Sequence, residues 1–125
     1  AVAVLVVDDE RELGNMIADL LGSAGHQVDV VTDGAQALSR METRRYDVVL
    51  SDLRMPVMDG PTLYAETRAR HPGQERRFVF LTGDTFSGSN AEFLERAGLP
   101  CLSKPFTLDE IEQVVASVVR KGRGD

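Results

Sequence analysis

The sequence predicts an α/β domain built on a five-stranded parallel sheet, doubly wound by five helices. Five short apolar runs recur along the chain, and helical patterns fill the gaps between them. The length of 125 residues suits one domain with a proper core, so a single domain over 1–125 is expected.

The first run is "VAVLVV" (2–7). Leu13, Met16, Ile17, Leu20 and Leu21 follow at i, i+3, i+4, i+7 and i+8, one face of a helix, and Gly25 stands where that helix should stop. Asp9 and Glu12 have the spacing of a capping box at its start. "HQVDVV" (26–31) is the second run, and Asp33, three residues before Gln36, marks the start of the next helix. "YDVVL" (46–50) and "FVFLT" (78–82) are the third and fourth runs. Ser89, three before Glu92, marks a further helix start, Gly98 its stop, and "PCLS" (100–103) is the fifth run. "FTLDEI" then offers a capping box from Thr107 to Glu110, with Phe106 and Ile111 placed as a hydrophobic staple. Leu108, Ile111, Val114, Val115, Val118 and Val119 draw a stripe along the last helix that reads as core. No repeat, low-complexity segment or internal linker interrupts the pattern.

Composition narrows the function. Hydrophobic residues make up 42% and charged residues 27%, ordinary for a soluble globular fold. The longest apolar run is far too short to cross a bilayer, and "AVAVLVVDDE" lacks the basic region of a signal peptide. The one cysteine, Cys101, cannot form an internal disulfide, which suits a reducing, cytoplasmic setting. A net charge of −6 argues against general nucleic-acid or anionic-membrane binding, both of which need a basic face. The chain begins without methionine and ends in "RKGRGD", so it reads as a piece excised from a longer protein.

In a doubly wound sheet ligands collect at the carboxyl ends of the strands. There the first run ends in Asp8 and Asp9, the third in Asp52, the fourth in Thr82, and the fifth in Lys104 followed by Pro105. Three carboxylates brought together repel one another, and a hard divalent cation with oxygen ligands resolves the conflict, which points to magnesium. Zinc is not supported, because His26 and His71 fall at no strand end. A magnesium ion beside one carboxylate, with an ammonium and a hydroxyl opposite, is a device for stabilising a phosphoryl group in transfer. Asp52 is then the nucleophile, Lys104 offsets charge on the transferring oxygens, and Thr82 hydrogen-bonds the phosphoryl group once it arrives. Taken singly, each residue has an ordinary structural role: cap, loop acid, strand threonine, solvated lysine. Only two lysines stand against twelve arginines, however, and one of the two is at this rim.

"VLVVDDE", "DVVLSDLRMPVMDG", "FVFLTGD" and "LSKPF", in this order and with suitable gaps, resemble the receiver domain of bacterial two-component response regulators over the whole chain. The resemblance implies a flavodoxin-like fold with strand order 2-1-3-4-5. It implies phosphotransfer to Asp52 from a phosphohistidine on a histidine kinase or histidine phosphotransfer domain. It also implies magnesium held by Asp9, Asp52 and the Arg54 backbone carbonyl, with Asp8 helping through water, and a cis Lys104–Pro105 peptide. Met55-Pro56 and Asp59-Gly60 would stiffen and turn the exit loop so that Asp52 and the Arg54 carbonyl grip one ion. The face of the fourth helix, fifth strand and fifth helix is, by the same resemblance, the surface for a homodimer or partner.

Two departures stand out. The family's switch aromatic, three residues before the lysine, is here Cys101, which reads as a small buried strand residue. The signal is then expected to travel through residues 83–89 and the following helix. In "TGDTFSGSN" (82–90) Gly83 replaces the commoner alanine. Arg54 and Asp84 fall at positions that in the family flank the mouth of the site, and they are expected to pair across it and slow hydrolysis. "TGDTFSGSNAEFLERAGLPCLSKPF" also resembles receivers attached to hybrid sensor histidine kinases, which favours an excised receiver. The expected activity is self-directed phosphotransfer, with no separate substrate. Two other readings compete. One is a degenerate receiver acting only as an interaction module, which should show a damaged acid cluster. The other is a small phosphohydrolase, which would need a cap for which the chain has little room.

Overall fold

The computed structural model describes residues 2–83 and 88–122. Its elements alternate as β1 (Ala3–Val7), α1 (Arg11–Ser23), β2 (Gln27–Val31), α2 (Gly34–Thr43), β3 (Val48–Asp52), α3 (Gly60–Arg70), β4 (Phe78–Thr82), α4 (Gly88–Ala97), β5 (Cys101–Ser103) and α5 (Leu108–Gly122). A 3-10 turn, Gln74–Arg77, precedes β4. The strands are all parallel and lie in the order β2-β1-β3-β4-β5, the expected doubly wound sheet. Strand order reverses at β1, between β2 and β3, so the carboxyl ends of β1 and β3 open side by side into a crevice.

Alternation along each strand divides the core in two. Leu5, Val7, Val49, Phe78 and Phe80 face α2 and α3, where they meet Ala37, Leu38, Met41 and Leu63. Val4, Val6, Val48, Leu50, Val79 and Leu81 face the other way, against Ile17 and Leu21 of α1 and Ile111, Val115 and Val118 of α5. Each such buried aliphatic or aromatic side chain stabilises the fold by about 1.5–3 kcal/mol. The α5 valine stripe is therefore core, as its spacing suggested. Met16, read as part of the buried face of α1, is instead half exposed.

Local signals mostly hold. Asp33 caps α2 by accepting the Gln36 N–H at 2.8 Å, and Gln36 reaches back to the Thr32 N–H. Thr107 and Glu110 form the reciprocal box, with bonds of 3.2 and 2.9 Å. Gly25 and Gly98 end their helices at φ 95° and 65°, a region costly for any residue with a Cβ. The Asp9–Glu12 box is corrected: the N-cap of α1 is Glu10, with no side-chain cap bond, and Asp9 lies outside the helix. α4 begins at Gly88, ahead of the start read at Ser89. The third strand begins two residues later than its apolar run and continues through Asp52. No described helix is long and apolar enough to cross a membrane.

Candidate functional site

Asp8 follows β1 directly, and its N–H donates to the Val31 carbonyl, so the backbone is still held by the sheet when the acid emerges. The carboxylate is fully buried; Oδ1 accepts the Glu10 N–H at 2.9 Å. Asp52 is the last residue of β3, opposite Leu81 of β4, and is 6% exposed. Thr82 therefore ends β4 one residue beyond the level of Asp52, also buried. Lys104 follows β5; its N–H donates to the Thr82 carbonyl at 2.7 Å, which fixes the lysine at the same rim. The Lys104–Pro105 peptide is cis.

The ammonium then reaches across two strands. Lys104 Nζ lies 3.2 Å from Asp8 Oδ2 and 3.4 Å from Asp52 Oδ2. Asp9, exposed beside them, completes a group in which one carboxylate oxygen from each of Asp8, Asp9 and Asp52 lies within 4.8 Å of the others. Burial pushes the Asp52 carboxyl above the usual aspartate range; the Lys104 charge opposes that and the Asp8 charge adds to it. For Lys104, burial works to lower the pKa, but the carboxylates of Asp52 and Asp8 outweigh it and hold the ammonium above its ordinary value. Among the described residues one ammonium pairs with two buried carboxylates, and a third carboxylate lies beside them, which leaves an all-oxygen site short of positive charge. That donor set fits a magnesium ion.

The exit loop shows why "SDLRMPVMDG" is so constrained. The Arg54 N–H approaches Asp52 Oδ1 at 3.4 Å, and the Gly60 N–H donates to the Leu53 carbonyl at 2.9 Å, folding the loop back onto the end of β3. Asp59 caps α3 through the Thr62 N–H at 2.9 Å, with Pro61 in the first turn. A Cβ at Gly60 would stand 2.8 Å from the Asp52 carbonyl oxygen and 2.9 Å from Leu53 Cα, both backbone atoms. Only glycine lets the loop pack this close to the acid. The sequence marked Asp59-Gly60 as a turn, but not the helix cap or the close approach. Val57, at the loop's outermost point, is fully exposed at φ 69°, where a β-branched residue is strained.

Cys101 pairs with Phe80 in the β4–β5 register and packs at the edge of the core, its thiol pushed up to about 11 by burial. It is a small strand residue, as read, but half-buried rather than buried. The rings nearby come from elsewhere: Phe93 of α4 stacks edge-on against Phe80 and against Tyr64 of α3, at 5.2 and 5.5 Å between centroids. Sequence reading did not find this cluster, because its members lie on three separate elements. Asp84, expected opposite Arg54, lies outside the described residues, as does most of the 83–89 loop.

The model of the response regulator receiver domain matches residues 4–116. The chain belongs to the receiver domain family. It is 40% identical over 123 residues to the sensor histidine kinase RcsC of Escherichia coli, covering 96% of this chain but 13% of that protein. Among solved structures, the receiver domain of sensor histidine kinase PA1611 from Pseudomonas aeruginosa is 32% identical with a TM-score of 0.84, covering 96% of this chain and 98% of that one. That receiver holds a magnesium ion in its active-site cleft. The chemotaxis protein CheY4 of Vibrio cholerae is 30% identical with a TM-score of 0.82, covering 94% of this chain and 98% of that one. The domain is thus a phosphoacceptor signalling module of the kind found in response regulators and hybrid kinases, and its undamaged acid cluster gives no sign of degeneracy.

Proposed function

We propose that Asp52 is the phosphoacceptor of this receiver and that its donor is a phosphohistidine on a histidine kinase or histidine phosphotransfer domain. The reading rests on one observation above all, the Lys104 ammonium held between Asp8 and Asp52 at 3.2 and 3.4 Å. In the reaction a carboxylate oxygen of Asp52 bonds to phosphorus as the N–P bond to the donor imidazole breaks. The bonding pair stays on the imidazole nitrogen. Lys104 is placed to follow the charge onto the transferring oxygens, and the Thr82 hydroxyl donates to a phosphoryl oxygen afterwards. Asp8, Asp9, Asp52 and the Arg54 carbonyl would hold magnesium, which supplies Lewis-acid stabilisation of the phosphoryl charge.

Output follows from the same rim. With Cys101 in place of a ring, movement at Thr82 passes through residues 83–89 to α4, which Phe93 ties to Phe80 and Tyr64. The α4/β5/α5 face is the surface that reads this change, as a homodimer or with a partner. The whole protein is read as a hybrid kinase, on the strength of the RcsC likeness.

Intact mass after incubation with acetyl phosphate, with and without magnesium, tests the acceptor role. One magnesium-dependent phosphoryl adduct on the wild type, absent from Asp52→Asn, is expected. No adduct from acetyl phosphate or from a phosphohistidine donor would leave an interaction module. Turnover of p-nitrophenyl phosphate would favour a hydrolase instead.

A further inference from the structure

Val57 strains this chain, and its side chain packs nowhere on it. The Met58 N–H donates to the Pro56 carbonyl at 2.7 Å, closing a three-residue γ-turn with Val57 at its centre, φ 69°. A β-branched residue is strained there, whereas glycine makes the same turn without that strain. At 108% relative exposure Val57 is also the most exposed large apolar side chain among the described residues. The need for a turn accounts for the backbone, but not for an isopropyl group held out in water. We propose that Val57 and the cleft beside it form the contact surface for the protein that delivers the phosphoryl group, and that they help to select it. The inference rests on the phosphohistidine-donor reading.

The turn is pinned on both sides. Pro56 has a ring-fixed φ, and Met58 lies directly on Gly34 in the first turn of α2. A Cβ at Gly34 would stand 2.5 Å from Met58 Sδ and 3.1 Å from Met58 Cβ. Val57 is therefore presented on a short, anchored loop, and little conformational entropy is lost when a partner covers it. Beside it lies a cleft of about 310 Å³, with Pro56, Val57 and Met58 from the exit loop and Asp33 and Ala35 from the start of α2 among its walls. Asp9 lines the same cleft and belongs to the acid group around Asp52, so the cleft adjoins the site of transfer.

That continuity identifies the occupant. Asp52 is only 6% exposed, so a donor imidazole must be pressed onto the rim before a carboxylate oxygen can meet its phosphorus. A protein surface that carries the imidazole covers the adjoining cleft as well, whereas acetyl phosphate is small enough to reach Asp52 alone. Pro56, Val57, Met58 and Ala35 offer an apolar seat for one side chain of the donor. The carboxylates of Asp9 and Asp33 favour a lysine or arginine next to it, as does the net charge of −6.

The test compares transfer rates from autophosphorylated RcsC and PA1611 kinases with the rate from acetyl phosphate, using the 125-residue chain. Val57→Gly should slow transfer about tenfold from whichever kinase labels the wild type faster, the loss expected when one buried valine leaves a contact. Its acetyl phosphate rate should be unchanged, and its Tm should not fall. Asp33→Asn, which can still cap α2, should slow kinase transfer several-fold at low salt and hardly at all at high salt. Equal kinase transfer to Val57→Gly and wild type would overturn the proposal and leave the phosphoacceptor reading standing. An equal loss with acetyl phosphate would also overturn it, since the turn would then shape the site rather than meet a donor. So would a wild-type dimer in sedimentation that Val57→Gly dissociates, which would give the cleft to a second copy of the chain. No transfer from either kinase, with acetyl phosphate still labelling Asp52, would overturn the donor reading and this proposal with it.

Discussion

The two ends of one sheet carry charge in opposite ways. At the carboxyl end, Asp8, Asp52 and Lys104 are buried or nearly so and share hydrogen bonds, with Asp9 beside them. At the amino end, Arg45, Arg76 and Lys121 are exposed and surround open space. Charges in the first group depend on one another, because each is withdrawn from water and compensated by the next. Those in the second lie at the surface in water and depend little on one another. Mutations should therefore have large, coupled effects at one end and small, separate ones at the other.

Lys104→Ala should show the largest effect. It leaves the buried carboxylates of Asp8 and Asp52 without their ammonium, and urea unfolding at pH 7 in EDTA should show a loss of about 3 kcal/mol. The Lys104 pKa is raised above 10.5, so the ammonium stabilises the wild type below that pH and its contribution disappears as pH climbs through the higher folded value. A loss below 0.5 kcal/mol would mean that the rim charges are screened like surface ones.

Gly60→Ala should cost about 2 kcal/mol in the same experiment, because the added methyl meets the backbone at Asp52 and Leu53 rather than a movable side chain. Part of this rim was legible in the sequence. Asp8, Asp9, Asp52, Thr82 and Lys104 each stand at or just past the end of an apolar run, so the fold class alone brings them to one edge. What could not be read depends on approach in three dimensions. The Gly60 contact, the Phe93–Phe80–Tyr64 stack and the Gln74 amide that bonds both the N–H and the carbonyl of Tyr46 all join residues whose local pattern is silent. The gathering of positions 45, 76, 77 and 121 around one cleft at the amino end was hidden for the same reason, since they share no motif. The Asp9–Glu12 spacing misled in the other direction, because a cap needs the backbone to turn at the right residue as well as the right pair of side chains.

Asp52→Asn should raise stability at neutral pH without divalent metal. The folded-state pKa of Asp52 lies above the free value of 3.8, so the folded chain binds more protons than the unfolded one and stability falls as pH rises through that range. Removing the charge removes this cost, for a rise in Tm of about 2–5 °C. The gain should vanish below pH 3.8, where the wild-type carboxyl is protonated in both states. At the opposite end, Arg45→Ala with Arg76→Ala should change stability by no more than about 0.5 kcal/mol, as exposed charges do. A larger loss would show that the basic end is part of the fold's framework.

The measurement that bears most directly on the central claim is reduction of the phosphorylated chain with borohydride, which converts an aspartyl phosphate to homoserine, followed by peptide mass spectrometry. The account predicts homoserine at position 52 alone, and only after incubation with magnesium and donor. Homoserine at position 8 or 9, or none in a chain that carries the phosphoryl adduct, would contradict it.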